Sequence, residues 1–205
     1  MSKLYSGMTH LDGNVLAAID FETTGRRPGY HEVIQVAVLP LDHDLNPHPD
    51  IPVFYMNIRP EYPERCEKGA GFVHGIDMDL LQIHAPSQER AIDLLCGWFN
   101  SLDLPQNRFV IPLAHNWAFE SSFLKGWLGP SLVDRIFHSH GRDTMGMAAT
   151  LNDRAFFLGE QLPFPKLSLV VLCKQLGILY ENAHDAFADC QATAELYKRL
   201  LTHGT

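Results

Sequence analysis

Short apolar runs bounded by turn residues mark the strands of this chain. The first run covers Val15 to Phe21 and precedes a stretch rich in threonine, glycine, arginine and proline. Residues 33–41 and 53–58 carry the second and third runs, and 109–114 is a fully apolar fourth. The pattern predicts an antiparallel meander of three strands, followed later by a buried strand.

Four other segments carry apolar residues at helical spacing, each with a residue that can begin a helix. These segments start at Ser87, Asn116, Ser168 and Asp185. Gly177 stands where a glycine ends the third helix. The alternation of strands and helices predicts a mixed sheet flanked by helices. The last helix is predicted to bury Phe187, Cys190, Ala194, Tyr197 and Leu201.

Length and hydrophobic content narrow the class of protein. A chain of 205 residues with 46% hydrophobic content suits a single domain over 1–205. Its longest apolar runs are far shorter than the ~20 residues of a membrane-spanning helix. The first twenty residues contain no apolar core of a secretory signal, so we expect a cytoplasmic protein. The widely spaced cysteines, expected to be free buried thiols, are Cys66, Cys96, Cys173 and Cys190.

The charge balance excludes one mode of nucleic-acid binding. The net charge is -8, from 16 basic and 24 acidic residues. Non-specific binding along a duplex needs a basic face, which this composition does not favour. A short nucleic acid held at a metal site remains compatible with it.

Two carboxylates stand near the end of the first predicted strand. Asp20 and Glu22 are two positions apart, so both side chains project from the same face. Such a pair is expected about 0.7 times by chance in this composition, and is therefore weak as an isolated motif. Its place beside a buried apolar run strengthens it, because adjacent buried charges are costly without a cation.

Further acids and one histidine lie near the starts of predicted helices. Glu120 follows Asn116 by one turn, and the last helix begins with His184 and Asp189 close together. Glu120 and Asp189 could also be solvated first-turn residues that favour a helix N-terminus, and His184 a plain loop residue. Taken together, four carboxylates and a histidine match what two hard divalent cations and a general base require.

Three other features have two readings each. His138 and His140 could share a zinc ion, but no third ligand is evident, so surface histidines are favoured. The arginines at 26–27 could steer phosphate or lie in a solvated turn. Trp117, Phe119 and Phe123 could stack on bases, although helical spacing favours core packing for the two phenylalanines.

Three segments, in chain order, resemble the exonuclease motifs of the DEDDh 3'-5' exonucleases. They are DFETTG at 20–25, AHNWAFESSFL at 114–124 and HDAFAD at 184–189. This group includes polymerase proofreading subunits, RNase T and oligoribonuclease. Weaker matches, FVHGI at 72–76, RDTM at 142–145 and LSLVVLCKQLGI at 167–178, extend the resemblance over nearly the whole chain.

The resemblance implies an α/β, ribonuclease H-like fold, with a mixed five-stranded sheet flanked by helices on both faces. It implies that Asp20, Glu22 and Asp189 are metal-site carboxylates and that His184 is the general base. Thr23, Thr24 and His74 would lie beside the terminal nucleotide. The chain departs from the family at Glu120, where the pattern has Asp. The extra methylene moves that carboxylate by roughly a bond length, which bears on activity and metal preference because Mg²⁺ demands close octahedral geometry.

The expected function is a metal-dependent 3'-5' exonuclease that releases nucleoside monophosphates from single-stranded DNA. Two Mg²⁺ ions are the expected cofactors, with Mn²⁺ able to substitute. One alternative is an RNA-trimming exoribonuclease of the same family. Another is a non-catalytic module that binds nucleic acid or a polymerase, its metal site spoiled by Glu120. The chain ends at Thr205 without the tail expected of a polymerase-bound subunit, which favours a stand-alone enzyme.

Overall fold

The structure, a computed structural model, describes residues 13–203. Residues 1–12 and Thr205, which entered the expectations about a signal segment and a tail, lie outside that range. The described chain forms a mixed sheet with strand order β3-β2-β1-β4-β5. These strands are β1 (Val15–Thr23), β2 (Val33–Pro40), β3 (Phe54–Asn57), β4 (Val110–Ala114) and β5 (Arg142–Asp143).

The pairing confirms the predicted meander and moves the bounds of its strands. β1 to β3 are antiparallel neighbours, whereas β4 runs parallel to both β1 and β5. β3 covers 54–57, which is shorter than predicted. β1 continues to Thr23, so Asp20 and Glu22 lie within the strand rather than at its end. The pairing of β1 with β4 stops at Ala18, and the carboxylates lie beyond it.

Helices cover both faces of the sheet, so its three interior strands, β2, β1 and β4, are buried along almost their whole length. The helices are α1 (Lys68–His74), α2 (Met78–His84), α3 (Gln88–Ser101), α4 (Trp117–Leu128), α5 (Pro130–Ile136), α6 (Thr144–Leu158), α7 (Leu169–Gln175) and α8 (Ala186–Leu201). α3, α4 and α5 share one core cluster with the sheet. On the other face α8 packs directly on β1 and β2, and α6 and α7 pack against α8. The predicted fold class is therefore confirmed.

The four predicted helices exist, with differences at two of their starts. α3 and α8 begin where predicted, and the side chains of Ser87 and Asp185 cap them. Asn116 and Ser168 occupy the corresponding positions of α4 and α7, but their side chains make no capping hydrogen bond, so that detail was wrong. Asn116 has a φ of 78°, and its backbone N–H donates to the Asp143 carboxylate at 3.0 Å. The capping acceptor therefore comes from another part of the chain.

Two further details of the sequence interpretation need correction. Leu201 was predicted to be buried, but it is exposed because it is the last residue of α8, where the helix ends in solvent. α1, α2 and α5, seven residues each, were not predicted from the sequence. α6 was also missed, because apolar residues such as Phe156 and Phe157 point into solvent and blur its pattern.

Two further expectations concern the state of the cysteines and the hydropathy of the helices. All four thiols are free, with Cys173 and Cys190 buried and Cys66 and Cys96 half-buried. Within residues 13–203, none of the helices combines the length and hydropathy that crossing a membrane requires.

Candidate active site

Strand β1 carries two of the candidate acids to the face that α8 covers. Leu16 and Ala18 pack in the core cluster beneath α8, and alternation along the strand places Asp20 and Glu22 on the same face. Glu22 is 8% exposed and Asp20 is half-buried. The rigid strand thus holds two carboxylates against the beginning of a helix.

The beginning of α8 supplies a third acid and the histidine. Asp185 caps the helix by accepting hydrogen bonds from two backbone N–H groups, and Asp189 follows one turn later. His184 is exposed and has a φ of 69°. One ligand atom from each of Glu22, His184 and Asp189 lies within 4.8 Å of the other two. The structure therefore brings together three of the predicted residues, which are far apart in the sequence.

Glu120 enters the site from α4, on the other side of β1. It is 4% exposed, so its interpretation as a solvated first-turn residue is wrong. Its Oε2 is buried and has no hydrogen-bond partner among the described residues. The charges of Glu22 and Asp189 both act on its pKa, and the Glu120 charge in turn acts on Asp20. Glu120 therefore belongs to the same acid cluster, although Glu120 and Asp20 lie outside the tight group of three.

Burial is the first cause of the unusual acidities in this cluster, and mutual repulsion is the second. Both effects raise the pKa of Glu22 to about 8 and hold the pKa values of Asp20 and Glu120 well above their ordinary range. A hydrogen bond from the Phe21 backbone N–H offsets part of the rise in the Glu120 pKa. In the Asp189 carboxyl, burial raises the pKa while hydrogen bonds from Tyr180 and the His184 backbone oppose the rise.

The donor set fits a divalent cation. Carboxylate oxygens are the ligands that Mg²⁺ and Mn²⁺ prefer, and no thiolate is among the clustered groups. Four clustered carboxylates favour protonation or a positive charge between them. The orphaned Oε2 of Glu120 is the clearest sign, because a buried carboxylate oxygen without a donor is costly unless a proton or a cation meets it.

Asp20, Glu22 and Asp189 line a cavity of about 430 Å³ that can receive a ligand, whereas Glu120 lies behind its wall and is not among the lining residues. Thr23 and His74, which the resemblance implies lie beside the terminal nucleotide, also line it. The Thr23 hydroxyl donates to the Gly25 carbonyl at 2.7 Å. His74 accepts a hydrogen bond from the Ile76 N–H at Nδ1, while its buried Nε2 has no partner among the described residues. Burial, followed by nearby His184, lowers the His74 pKa.

Thr24 is placed differently from its neighbour. Its side chain is fully buried, and its hydroxyl accepts a hydrogen bond from the Glu32 N–H at 2.9 Å. It does not line the cavity, so the structure does not bring its side chain to the other candidate residues. Gly25, the last residue of the first motif, has a packing role: a Cβ there would lie 2.5 Å from the His31 ring.

The two arginines that follow the first motif also differ. Arg26 lines the cavity and is the one arginine or lysine among its described lining residues. Arg27 stacks instead on Tyr30, with its guanidinium carbon 5.0 Å from the ring centroid. Of the two phenylalanines, Phe123 is buried in the core as predicted, whereas half-buried Phe119 also borders the cavity.

Two hydrogen bonds from tyrosine hydroxyls to aspartates around the site have no signal in the sequence. Tyr180, between α7 and α8, donates a hydrogen bond from its hydroxyl to Asp189 Oδ1 at 2.6 Å. Tyr55 of β3 donates to Asp185 Oδ2 at 2.5 Å. Neither tyrosine has a local signal, because each contact depends on elements that meet only in the folded chain. His138 and His140 are not part of the metal-ligand group found among residues 13–203.

Comparison with known proteins agrees with this geometry. Residues 17–197 match the family model RNase_T, described as Exonuclease. No curated protein sequence matches the chain. The chain belongs to the exonuclease family, and the resemblance to DEDDh-type 3'-5' exonucleases is confirmed.

Solved structures show the same fold at low sequence identity. Escherichia coli Exonuclease I, in complex with a dT13 oligonucleotide, is 20% identical with a TM-score of 0.69. That match covers 92% of this chain, but this chain spans only 41% of Exonuclease I. The nuclease domain of 3'hExo, a DEDDh family member bound to rAMP, is 19% identical with a TM-score of 0.68, and 96% of each chain is covered. Exonuclease I from Methylocaldum szegediense is 20% identical, with a TM-score of 0.70 and coverage of 93% and 41%.

Proposed function

We propose that the chain is a single exonuclease domain that removes nucleoside monophosphates from the 3' end of single-stranded DNA. Asp20, Glu22, Glu120 and Asp189 would hold two Mg²⁺ ions, for which Mn²⁺ could substitute. The burial of Glu120 with an unpartnered carboxylate oxygen, inside the cluster of the other three acids, carries this proposal. Such a cluster lining an open cavity is suited to binding cations and a phosphodiester together.

His184 is suited to accept the proton of the attacking water. It is exposed on the cavity wall beside Glu22 and Asp189, so its imidazole is accessible to water. The new bond forms between the water oxygen and phosphorus, while the bond from phosphorus to the leaving 3'-oxygen breaks. When bound, two Mg²⁺ ions would lower the pKa of the water and stabilise the leaving oxygen. The carboxylates supply negative charge that retains the cations in place.

The remaining wall residues are suited to hold the end of the strand. Thr23 and His74 lie where the terminal nucleotide would enter, and the unpartnered Nε2 of His74 offers a hydrogen bond to it. Arg26 is placed to neutralise a phosphate in a cavity that is also lined by Asp20, Glu22 and Asp189. Thr24 is given no direct contact in this proposal, because its hydroxyl is engaged with Glu32.

RNA is the second candidate substrate. The structural neighbours include a complex of Exonuclease I with a DNA oligonucleotide and a 3'-exonuclease that recognises a histone mRNA stem-loop. The non-catalytic alternative is weakened by the position of Glu120, since the longer side chain still delivers its carboxylate into the acid cluster.

The test is nucleotide release from matched labelled single-stranded DNA and RNA oligomers with Mg²⁺, with Mn²⁺ and with EDTA. We expect metal-dependent loss from the 3' end of DNA, faster than from RNA. Asp20→Asn, which keeps the shape and removes the charge, should lower the rate by about 100-fold or more while the protein stays folded. Faster loss from RNA would transfer the proposal to RNA. Strand binding without cleavage under either metal would favour the non-catalytic module.

A further inference from the structure

Both hydrogen bonds that the Asp189 carboxylate accepts converge on a single oxygen. The Tyr180 hydroxyl donates to Oδ1 at 2.6 Å, and the backbone N–H of His184 donates to the same atom at 3.1 Å. Within residues 13–203, no donor reaches Oδ2. One oxygen is therefore fixed by the protein, and the second accepts no hydrogen bond from the described residues, in a carboxylate that groups with Glu22 and His184.

Tyr180 approaches Asp189 from behind the catalytic cavity. The half-buried tyrosine packs against the cluster of apolar residues between α6, α7 and α8, which includes Cys173, Ala192 and Leu196. It lines a separate pocket and is absent from the wall of the cavity that holds the acids. A ligand in that cavity is thus not expected to touch Tyr180, and any effect of the hydroxyl must act through Asp189.

The same oxygen also supports the unusual backbone of His184. A φ of 69° is unfavourable for a residue with a side chain, so the conformation needs support from its surroundings. The hydrogen bond from the His184 N–H to Asp189 Oδ1 provides such support. Tyr180 therefore holds a carboxylate that in turn holds the segment carrying the histidine.

From this arrangement we propose that Tyr180 is a positioning residue, which fixes the rotamer of Asp189 and through the same oxygen the backbone of His184. Its role for a cation rests on the proposed function, in which Asp189 is a metal ligand. Hydrogen-bond partners of metal ligands typically change metal affinity or activity by about 10–100-fold when they are removed. The Tyr180 hydroxyl is such a partner, contributed by a segment outside the three exonuclease motifs.

The test compares Tyr180→Phe, which removes only the hydroxyl, with the parent protein. Mn²⁺ binding is measured without nucleic acid by electron paramagnetic resonance, and we expect the Kd to rise by about tenfold or more. The Mg²⁺ concentration for half-maximal cleavage should rise by a similar factor. Tyr197→Phe, at another buried tyrosine and on α8, is the matched control and should leave both quantities unchanged.

A second measurement tests the positioning of the His184 backbone in the absence of metal. The amide resonance of His184, followed by ¹H–¹⁵N NMR, should shift in Tyr180→Phe and stay in place in Tyr197→Phe. An unchanged His184 resonance, or unchanged Mn²⁺ affinity beside a parent that binds Mn²⁺, overturns the proposal for Tyr180. A parent that neither binds Mn²⁺ nor cleaves a strand overturns the proposed function instead, and the NMR comparison still decides the positioning role.

Discussion

The acid cluster should make the metal-free protein less stable as the pH rises, and Glu22 allows this to be measured. Burial, then the charges of Asp189 and Asp185, raise the pKa of Glu22 from 4.5 to about 8. The folded state therefore binds this proton more tightly than the unfolded state does. Glu22 has no effect on stability below its unfolded pKa, lowers stability increasingly above it, and reaches its full effect above about pH 8.

The size of the effect follows from the two pKa values. One pKa unit corresponds to about 1.4 kcal/mol, so the difference between 4.5 and about 8 amounts to about 5 kcal/mol for Glu22. Because only 8% of the residue is exposed, solvent screens little of this cost. The neutral side chain of Glu22→Gln should not cause this loss of stability at high pH. Its free energy of unfolding relative to the parent should increase by up to about 5 kcal/mol between about pH 5 and about pH 8.5.

The assay is urea unfolding in EDTA, followed by tryptophan fluorescence across that pH range. Glu160→Gln, at an exposed glutamate beyond the end of α6, is the control and should follow the parent. Parallel stability curves for Glu22→Gln and the parent would refute the reasoning, because they would show that Glu22 carries no buried repulsion. At about pH 8, Mg²⁺ at 100 times its Kd should add about 2.7 kcal/mol to the parent, and less to Glu22→Gln.

Three further changes test other parts of the structure. Glu120→Asp removes a buried methylene, so we expect it to cost about 1 kcal/mol of stability and to lower Mg²⁺-supported turnover. A gain in turnover would show instead that the longer Glu120 side chain holds its carboxylate in a less suitable position for Mg²⁺. Arg26→Gln should raise the KM for oligonucleotides and reduce the slope of log kcat/KM against log salt concentration by about 0.7. Arg27→Gln is the control, and equal effects of the two variants would contradict a specific phosphate contact of Arg26. Gly25→Ala drives a Cβ into the His31 ring and should cost about 1–3 kcal/mol in thermal unfolding, whereas an unchanged Tm would argue against that close approach.

Several features of the fold and site could be predicted from the sequence because their causes are local. The shared face of Asp20 and Glu22 follows from strand alternation alone, and the cap at Asp185 needs only the next turn of helix. The meander and the final helix were likewise visible in the apolar spacing. The motif order around Glu120 and His184 indicated the family before any contact was known.

Other features depend on chain segments that meet only after folding. The sequence was compatible with two interpretations of Glu120, a solvated first-turn residue and a member of the acid cluster. Only its burial against β1 in the folded chain decided for the acid cluster. Thr23 and Thr24 are adjacent and identical in type, yet Thr23 lines the cavity and Thr24 turns to Glu32. Simple strand alternation would group Thr24 with Glu22, but the pairing register of β1 shifts between Glu22 and Thr23.

The sequence by itself determined which elements form and which residue types the site contains, because backbone periodicity and capping act over a few residues. Only the tertiary structure decided which carboxylates share one buried space and which hydroxyl reaches Asp189. Burial, dielectric environment and hydrogen-bond partners are properties of surroundings built from distant parts of the chain. The elevated acidity of Glu22 and the contact of Tyr180 are therefore products of packing rather than of local sequence.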